Sequence, residues 1–378
     1  MEPVITSWKT EDLKSDEIVI NLGPQHPSTH GVLYLELKLN GETVVDCRPH
    51  IGYLHRSCEK VAENRMYTAF IPFTDRLDYL ASMNNNLGYC LAVEKLVNVL
   101  VTPKAQYVRT IIAELNRAAS HLVAVGTFAQ DLGAYATPMF YCFNDREQIV
   151  EMFDELCGGR LTYNYMRIGG VSQDLPPGAD KMIKDFIKYE RKKLDDYNEL
   201  LTYNAIFLSR SKNIGILSKE LAINYSVTGP ILRSSGFKWD LRKDEPYMLY
   251  DKFDFDVPVG EKGDSWDRYK VRLEEIRQSL RIVEQAIGGM PEGNPVSKIN
   301  RVYKAPAGTE IYMRTENPKS ELGFYLVSDG GEKPYRNKIR SPSFSNLAVM
   351  PELMKGLNVS DAICVLGSMD FVMGEIDR

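Results

Sequence analysis

The sequence predicts an α+β fold in which a helical bundle lies between two regions of β-structure. Every second residue from Leu33 to Leu39 is leucine, which is the two-residue period of a half-buried strand. From about residue 56 to residue 209 the apolar residues recur mainly at helical spacing. Residues 309–335 return to β character around an Asp-Gly-Gly turn. We expect one integrated module with an N-terminal β region (1–55), a helical bundle (56–290) and a C-terminal α/β part (291–378).

The N-terminal region predicts three strands. The apolar run Glu17–Leu22 indicates the first strand, and the leucine alternation indicates the second. Asn40-Gly41 is typical of a tight hairpin turn, and the β-branched residues that follow indicate the third strand. The first two strands are joined by the loop Gly-Pro-Gln-His-Pro-Ser-Thr-His-Gly, which contains His26 and His30.

This loop combines a restricted backbone with acid–base capacity. Proline fixes φ and glycine permits otherwise strained conformations, so the shape of the loop is largely set in advance. Histidine has an unperturbed pKa of about 6.5, within the physiological range. The loop is therefore a candidate part of an active site. A proline-rich turn with two exposed histidines explains the same residues equally well.

The middle of the chain predicts a series of long helices. Pro103 suits the first turn of one helix. Asn144 and Glu147 resemble a capping box that opens the next helix, and Gly158-Gly159 ends that helix. The other helices predicted from apolar periodicity are Asp75–Val101, Lys181–Tyr203 and Trp266–Ile287.

Composition excludes several classes of protein. A net charge of −5 over 378 residues argues against a nucleic-acid partner, which would favour a basic face. No apolar run reaches the roughly 18 residues of a membrane span, and the first residues do not resemble a signal peptide. None of the six cysteines forms a C-x-x-C pair, so we expect free thiols in a reducing compartment. The composition favours a cytoplasmic protein whose contact with a membrane is peripheral.

Candidate chemistry concentrates near the N-terminus, where four of the five histidines occur: His26, His30, His50 and His55. A metal site built from them is one interpretation, but no H-E-x-x-H motif or acidic cluster accompanies them. Motifs typical of serine hydrolases, NTPases and dinucleotide-binding proteins are missing as well. Proton donation by histidine remains, with Asp75, Asp78 or Asp131 as possible carboxylate partners. Taken alone, each carboxylate is more typical of a surface or capping residue.

Ordered motifs along almost the whole chain resemble the 49-kDa-type subunit family of respiratory complex I, which includes the D subunit of bacterial NADH–quinone oxidoreductase. The motifs lie at residues 23–33, 50–60, 75–79, 164–170, 327–331, 341–344 and 369–378. That family is related to the large subunits of nickel–iron hydrogenases, so the resemblance implies a fold like theirs.

The same resemblance implies that this chain holds no metal. Hydrogenase large subunits bind nickel and iron through two C-x-x-C pairs. The later pair aligns here with Val372 and Glu375, and the earlier pair falls near Asp78 and Ala81. Thiolates are the ligands that such a site needs, and none of these positions supplies one.

By the resemblance, the former metal cavity becomes a pocket for a quinone headgroup. His30 and Tyr79 would then hydrogen-bond the two quinone carbonyls, and Asp131 would pair with His30. His26 would help to shape the pocket. Arg56 aligns with an arginine that approaches the iron–sulfur cluster of a neighbouring subunit. A positive charge there would favour the reduced cluster.

The function implied is that of the quinone-site subunit of a proton-translocating NADH:quinone oxidoreductase, a translocase. Electrons would pass from the terminal 4Fe–4S cluster of a small partner subunit to a membrane quinone. The other implied partners are a 30-kDa-type subunit and the membrane subunit that forms the quinone channel. The implied location is peripheral, on the cytoplasmic face of the bacterial inner membrane. A ferredoxin-linked quinone oxidoreductase, a membrane-bound hydrogenase and a non-catalytic scaffold remain alternatives.

One departure from the family has a chemical consequence. Many relatives carry a histidine just before the Asn-Tyr-x-Arg-Ile-Gly-Gly-like motif, and its protonation is coupled to reduction of the cluster. Thr162 occupies that position here. We therefore expect a cluster potential that is lower and depends less on pH, which would suit a low-potential quinone such as menaquinone.

Overall fold

A computed structural model describes residues 8, 14, 16–26, 31–134, 136–298, 300 and 302–378. Helices form the middle of the chain, and small antiparallel sheets lie towards both ends. This arrangement confirms the predicted α+β class. Of the helices in the described ranges, none combines the length and apolar character that crossing a membrane requires.

The N-terminal sheet follows the prediction. Strands β1 (Glu17–Leu22), β2 (Tyr34–Asn40) and β3 (Thr43–His50) pair antiparallel in the order β1-β2-β3. The leucines of β2 are buried, so their alternation does mark the face that packs on the core. The turn at Gly41 joins β2 to β3, and this pairing brings Tyr34 opposite His50 at the end of the sheet.

The bundle is built around two long helices, α4 and α11. Helix α4 packs against α5 and α11, and its apolar side is buried almost along its whole length. The bounds of the helices are α1 Cys58–Glu63, α2 Tyr67–Thr74, α3 Ser82–Val97, α4 Pro103–Asp131, α5 Thr137–Cys157, α6 Ala179–Tyr197, α7 Ala205–Ser211, α8 Lys219–Asn224, α9 Gly229–Ser234, α10 Leu241–Asp244 and α11 Ser265–Gly289. Short elements complete this part: strands β4 (Met166–Arg167) and β5 (Gly170–Val171), a π-helical turn (Asn198–Thr202) and a 3₁₀ turn (Tyr250–Lys252).

The predicted helix Asp75–Val101 is wrong at its beginning. The chain forms a turn over residues 75–81, and α3 begins only at Ser82. Within the turn, the backbone N–H of Leu80 donates to Asp78 Oδ1 at 3.0 Å, and Ser82 Oγ donates to the Asp75 carbonyl at 3.0 Å. Such side-chain to backbone bonds offer the chain an alternative to the helix, although the apolar spacing continues through them.

The predicted capping box at Asn144 and Glu147 is also wrong, because α5 already begins at Thr137 with a proline in its first turn. The side chain of Asn144 donates to the Tyr189 hydroxyl, and Glu147 pairs with an arginine. The predicted end is confirmed, since Gly158 follows the helix in the left-handed conformation. Helix α11 differs slightly from the predicted range Trp266–Ile287, because it continues through Gly288 and Gly289.

The C-terminal part contains a second sheet and four short helices. Strands β6 (Glu310–Glu316), β7 (Glu321–Ser328) and β8 (Pro334–Arg340) pair antiparallel in sequence order. The helices that follow are α12 Pro342–Leu347, α13 Met350–Met354, α14 Val359–Met369 and α15 Met373–Asp377. Buried leucines of β2 share one hydrophobic core with α14 and α15. The N-terminal sheet and the C-terminal helices therefore pack directly against each other.

Candidate functional site

The last ten residues, 369–378, lie at the centre of the candidate site, and we refer to them as the C-terminal segment. They pass close to the turn at residues 75–81, since a β-carbon at Gly374 would lie 2.6 Å from the Leu77 carbonyl oxygen. Arg56 Nη2 donates to the Gly374 carbonyl at 3.1 Å and to the Arg76 carbonyl at 2.8 Å. Three sequence motifs that are far apart in the chain therefore meet here.

The histidine loop approaches the same segment. A β-carbon at Gly31, the last residue of the loop, would lie 3.5 Å from Met373 Cγ. His26 forms an isolated antiparallel bridge with Gly31, so it lies at the base of the loop. His30 lies outside the described residues, and its predicted hydrogen bonds to quinone and to Asp131 stay predictions.

Asp131 lies beside α14, which leads into the C-terminal segment. It is the last residue of α4, and a β-carbon at Gly367 would lie only 2.2 Å from Asp131 Oδ2. The contact is possible because the residue in α14 is glycine. Asp131 thus lies beside a residue that is only two positions before the segment begins.

A buried cluster of charged side chains surrounds the junction of α14 and the segment. Lys319 Nζ lies 2.5 Å from Asp370 Oδ2, and Arg272 Nε lies 3.8 Å from the same oxygen. Glu375 accepts from the backbone N–H of Ser343 at 2.8 Å. Asp78 lies within electrostatic range of Lys319, Asp370 and Glu375. We call Asp78, Lys319, Asp370 and Glu375 the carboxylate–lysine cluster.

The carboxylate–lysine cluster has more acids than its lysine can neutralise, and burial shifts their protonation. Burial, followed by the nearby Asp78 charge, raises the pKa of Glu375 to about 8. Burial also raises the pKa of Asp78, and the Asp370 charge adds to this effect while Lys319 opposes it. Because a carboxyl with a pKa near 8 keeps its proton at neutral pH, the cluster can store a proton there.

Tyr79 lies at the edge of this cluster and is half-buried. Burial raises the pKa of its hydroxyl, and the negative charges of Asp78 and Asp370 raise it further. The phenol therefore stays protonated and available as a hydrogen-bond donor. Of the sequence-predicted donors, Tyr79 is the one whose surroundings the structure describes.

A second buried carboxylate, Asp75, links the turn to the 164–170 motif. Asn86 donates to Asp75, and Asn164 Nδ2 lies 3.0 Å from both of its oxygens. Asn164 in turn accepts a hydrogen bond from Arg167. Burial raises the pKa of Asp75 to about 6, although these amides favour its charged form. In contrast to the buried Asp75, the side chain of Arg56 is exposed to solvent.

The remaining histidines do not converge on one point. His50 stacks on Tyr34 with ring centroids 4.7 Å apart and contacts Glu36 at 3.1 Å. His55 Nδ1 contacts the Asp377 carbonyl at 2.6 Å. The fifth histidine, His121, is buried in the bundle. Across the described ranges, no three His, Cys, Asp or Glu side chains form a group suited to a metal ion.

Sequence reasoning missed two cations of the site, Lys319 and Arg272. Both are almost fully buried, at 3% exposure each. Lys319 lies in the connection between β6 and β7, where a lysine is normally a solvated residue. Arg272 belongs to the charged pattern of α11, which resembles an exposed face. Local sequence carries no signal for either, because their partners come from other parts of the chain.

Comparison with known proteins agrees with this architecture. The family model described as "Respiratory-chain NADH dehydrogenase, 49 Kd subunit" matches residues 131–307 and 296–378. The D subunit of the NADH-quinone oxidoreductase from Dehalococcoides mccartyi is 50% identical over 366 residues, which cover 97% of this chain and 100% of the relative. The corresponding "D 2" protein of Solibacter usitatus is 51% identical over 97% of this chain and 98% of the relative. The D subunit of the Bacillus anthracis enzyme is 50% identical with coverage of 97% and 100%.

These matches span the candidate site as well as the bundle, and they confirm the resemblance drawn from the sequence motifs. The chain belongs to the 49-kDa subunit family of respiratory-chain NADH dehydrogenase, or complex I.

Proposed function

We propose that this chain forms the quinone site of a proton-translocating quinone oxidoreductase and delivers electrons to a membrane quinone. One observation carries the proposal. The C-terminal segment meets the end of the histidine loop at Gly31, and it meets the Tyr79 turn at Leu77. The groups that the family resemblance assigns to quinone binding thus come from elements that converge on one place.

The chemistry requires proton donors at two positions. A quinone takes up two electrons and two protons to become a quinol, and negative charge develops on each carbonyl oxygen. In our proposal Tyr79 and His30 donate to the two carbonyls. Asp131 pairs with His30, where a carboxylate would favour the imidazolium form, and His26 helps to shape the pocket.

The carboxylate–lysine cluster would support these donors. A tyrosine that gives up its proton must receive another proton, because a phenolate is unstable beside carboxylates. Glu375 holds a proton at neutral pH, as its pKa of about 8 implies, and it lies in the same cluster. Lys319 pairs with Asp370 and supplies a positive charge inside the cluster.

Electrons would arrive from the 4Fe–4S cluster of a small partner subunit near Arg56. A pocket of about 380 Å³ opens beside this residue, and its lining carries four cations (Lys60, Arg336, Lys338 and Arg378) and two acids (Glu59 and Asp377). The positive side chains of this face would favour a reduced, more negative cluster. In our proposal a 30-kDa-type subunit and a membrane subunit with the quinone channel complete the surroundings. The complex would lie at the cytoplasmic face of the bacterial inner membrane.

We propose NADH as the ultimate electron donor, because the relatives with about 50% identity are named NADH-quinone oxidoreductases. The alternative is the equivalent subunit of a ferredoxin-linked enzyme. Purification of the native complex, followed by identification of its subunits and electron donor, decides between them.

The catalytic role is tested with two variants in the assembled complex. We expect Tyr79→Phe and His30→Ala to lower quinone reduction by about tenfold or more, because each removes a proton donor. The measurement is donor-to-quinone turnover per amount of complex quantified on native gels. Normal assembly with unchanged turnover in both variants would leave the chain as a scaffold.

The reduction potential of the partner subunit's 4Fe–4S cluster tests the quinone type. Because Thr162 cannot carry the proton that a histidine would, we expect the potential of the partner's cluster to change little with pH. A redox titration of the purified complex between about pH 6 and pH 8 measures this. A slope near one proton per electron contradicts the expectation. It would also remove our reason for proposing menaquinone.

A further inference from the structure

We propose that Arg268 and Arg272, one helical turn apart on α11, are positioning residues that hold the C-terminal segment in place for quinone reduction. The proposal rests on the proposed function of the preceding section. Both guanidinium groups are buried, with exposures of 0% and 3%. Both reach across to the end of α14, where the C-terminal segment begins.

Arg272 binds two carbonyls at the end of α14 that lack intrahelical donors, and Arg268 binds a hydroxyl beside them. Arg272 Nη1 donates to the Ser368 carbonyl at 2.7 Å, and Nη2 donates to the Met369 carbonyl at 3.1 Å. Arg268 Nε donates to Ser368 Oγ at 2.8 Å. The last carbonyls of a helix lack intrahelical donors, and cations are favoured at that end. The contacts therefore fix the point at which the helix stops.

This stopping point decides where Asp370 lies. Asp370 follows α14 with φ 60° and ψ 52°, in the left-handed region, so the chain turns sharply at this residue. If the carbonyl of Ser368 or Met369 moved, the direction of the turn would change. Asp370 would then move relative to Lys319, and Glu375 further along the segment would move with it.

Arg268 is itself held by the body of the protein. Its Nη1 donates to the carbonyls of Gly215 and Gly263 at 2.9 and 2.8 Å, and its Nη2 donates to Ser265 Oγ at 2.9 Å. These partners are neutral, and in the described ranges no carboxylate forms an ion pair with Arg268. Burial accordingly lowers the pKa of Arg268 to about 10. Burying such a cation without an ionic partner is unfavourable, so these hydrogen bonds must offset much of its desolvation cost.

Arg272 also adds a charge to the site. Its Nε lies 3.8 Å from Asp370 Oδ2 and is the second cation near this carboxylate after Lys319. The charge of Asp370 acts on both Asp78 and Tyr79. Arg272 therefore bears on the proposed proton donors in two ways, through the hydrogen bonds that set the backbone and through its charge.

Two substitutions separate these effects. Arg272→Lys keeps the charge but loses the planar fork that bonds two carbonyls at once. Arg272→Met loses both. Arg277→Met, on an exposed part of the same helix where Arg277 pairs with Asp195, is the matched control. Each variant is studied in the complete complex by quinone turnover, KM for a short-chain quinone and the pH profile of turnover.

We expect Arg272→Lys to lower turnover by about threefold or more without moving the pH profile. Arg272→Met should lower turnover by about tenfold or more, as expected for misplaced groups. It should also move the alkaline limb of the profile upward by about half a pH unit, because loss of a nearby positive charge raises the pKa of the proton donors. The Arg277→Met control should match the wild type in all three measurements.

Wild-type turnover and an unshifted profile in assembled Arg272→Met would overturn the proposal. Where that variant fails to assemble, Arg272→Lys and Ser368→Ala decide, and wild-type turnover in both would overturn it. Tyr79→Phe, measured alongside, separates the two proposals. Unchanged turnover in both Tyr79→Phe and His30→Ala refutes the proposed site. A loss in Tyr79→Phe without a loss in the Arg272 variants refutes only the positioning role.

Discussion

Glu190 is a buried acid without a hydrogen-bond donor among the described residues. It lies on α6, fully buried, and neither of its carboxyl oxygens has a partner there. Its neighbour Asp145 accepts hydrogen bonds from the hydroxyls of Tyr189 and Tyr197 at 2.7 and 2.5 Å. Burial, and then the Asp145 charge, raises the pKa of Glu190 to about 8, while Lys193 opposes the shift.

We expect Glu190→Gln to stabilise the protein increasingly as pH rises from about 4.3 to 8. An unfolded glutamate has a pKa of about 4.3, so the folded state holds a proton that the unfolded state has lost between about pH 4.3 and pH 8. Stability therefore falls as pH rises through this window, by roughly 5 kcal/mol in total. Glutamine avoids the loss. Its free energy of unfolding should equal that of the wild type near pH 4 and exceed it increasingly up to pH 8.

Denaturant unfolding at several pH values measures this difference. Asp185→Asn, an exposed acid on the same helix, is the control and should differ from the wild type by a small constant amount. A difference for Glu190→Gln that stays constant from pH 4 to pH 8 would show that Glu190 ionises normally in the folded protein.

At the scale of elements, the contact between α14 and α4 depends on one glycine. Gly367 lies so close to Asp131 that a β-carbon would meet its Oδ2 at 2.2 Å. Real β-carbons do not approach an oxygen so closely, so either the Asp131 carboxylate or one of the two helices would have to move. Since α14 carries the C-terminal segment, a shift of α14 would displace the candidate site.

We expect Gly367→Ala to lower quinone turnover by about tenfold or more, because it separates Asp131 from α14. Gly288→Ala is the matched control, since Gly288 lies in α11 and a β-carbon there would meet no atom within 4 Å. The control should keep its activity and gain about 0.5–1 kcal/mol of stability, as alanine is the better helix former. Turnover per assembled complex and thermal unfolding provide the two measurements. Unchanged turnover in Gly367→Ala would indicate that the site tolerates the shift.

The success of sequence reasoning also differed between elements. The strands of the first sheet were predicted closely, because alternation and turn residues are local signals. The break at residues 75–81 was missed, because the bonds made by Asp78 and Ser82 outweigh the helical spacing of the neighbouring leucines. Tyr79 and Arg56 were selected through family motifs, whereas Lys319 became visible only through its contact with Asp370.

At the scale of the whole molecule, a network of buried ion pairs joins the bundle to the C-terminal sheet. Arg242 pairs with both Asp240 and Glu114, and Arg233 pairs with both Glu275 and Glu316. Burial opposes ionisation of Glu114, yet its arginine neighbours lower its pKa to about 2. Glu114 therefore stays charged at neutral pH, whereas burial raises the pKa of Glu316 against the opposing charge of Arg233.

We expect Arg242→Leu to destabilise the protein by about 3–5 kcal/mol, because it leaves two carboxylates buried without their main cation. Arg191→Ala is the control, since its pair with Glu284 is exposed and should contribute about 1 kcal/mol or less. Denaturant unfolding at neutral pH measures both variants. A loss for Arg242→Leu as small as that of the control would mean that water reaches the network.

The sequence by itself determined the α+β class, most of the strands and helices, and membership of the 49-kDa subunit family. These follow from periodicity, turn residues and ordered motifs, all of which lie along the chain. Only the tertiary structure decided which charges meet. The carboxylate–lysine cluster takes its members from the turn at 75–81, the β6–β7 connection and the C-terminal segment. Their pKa values depend on burial and on distance in space, and neither quantity is set by separation in sequence.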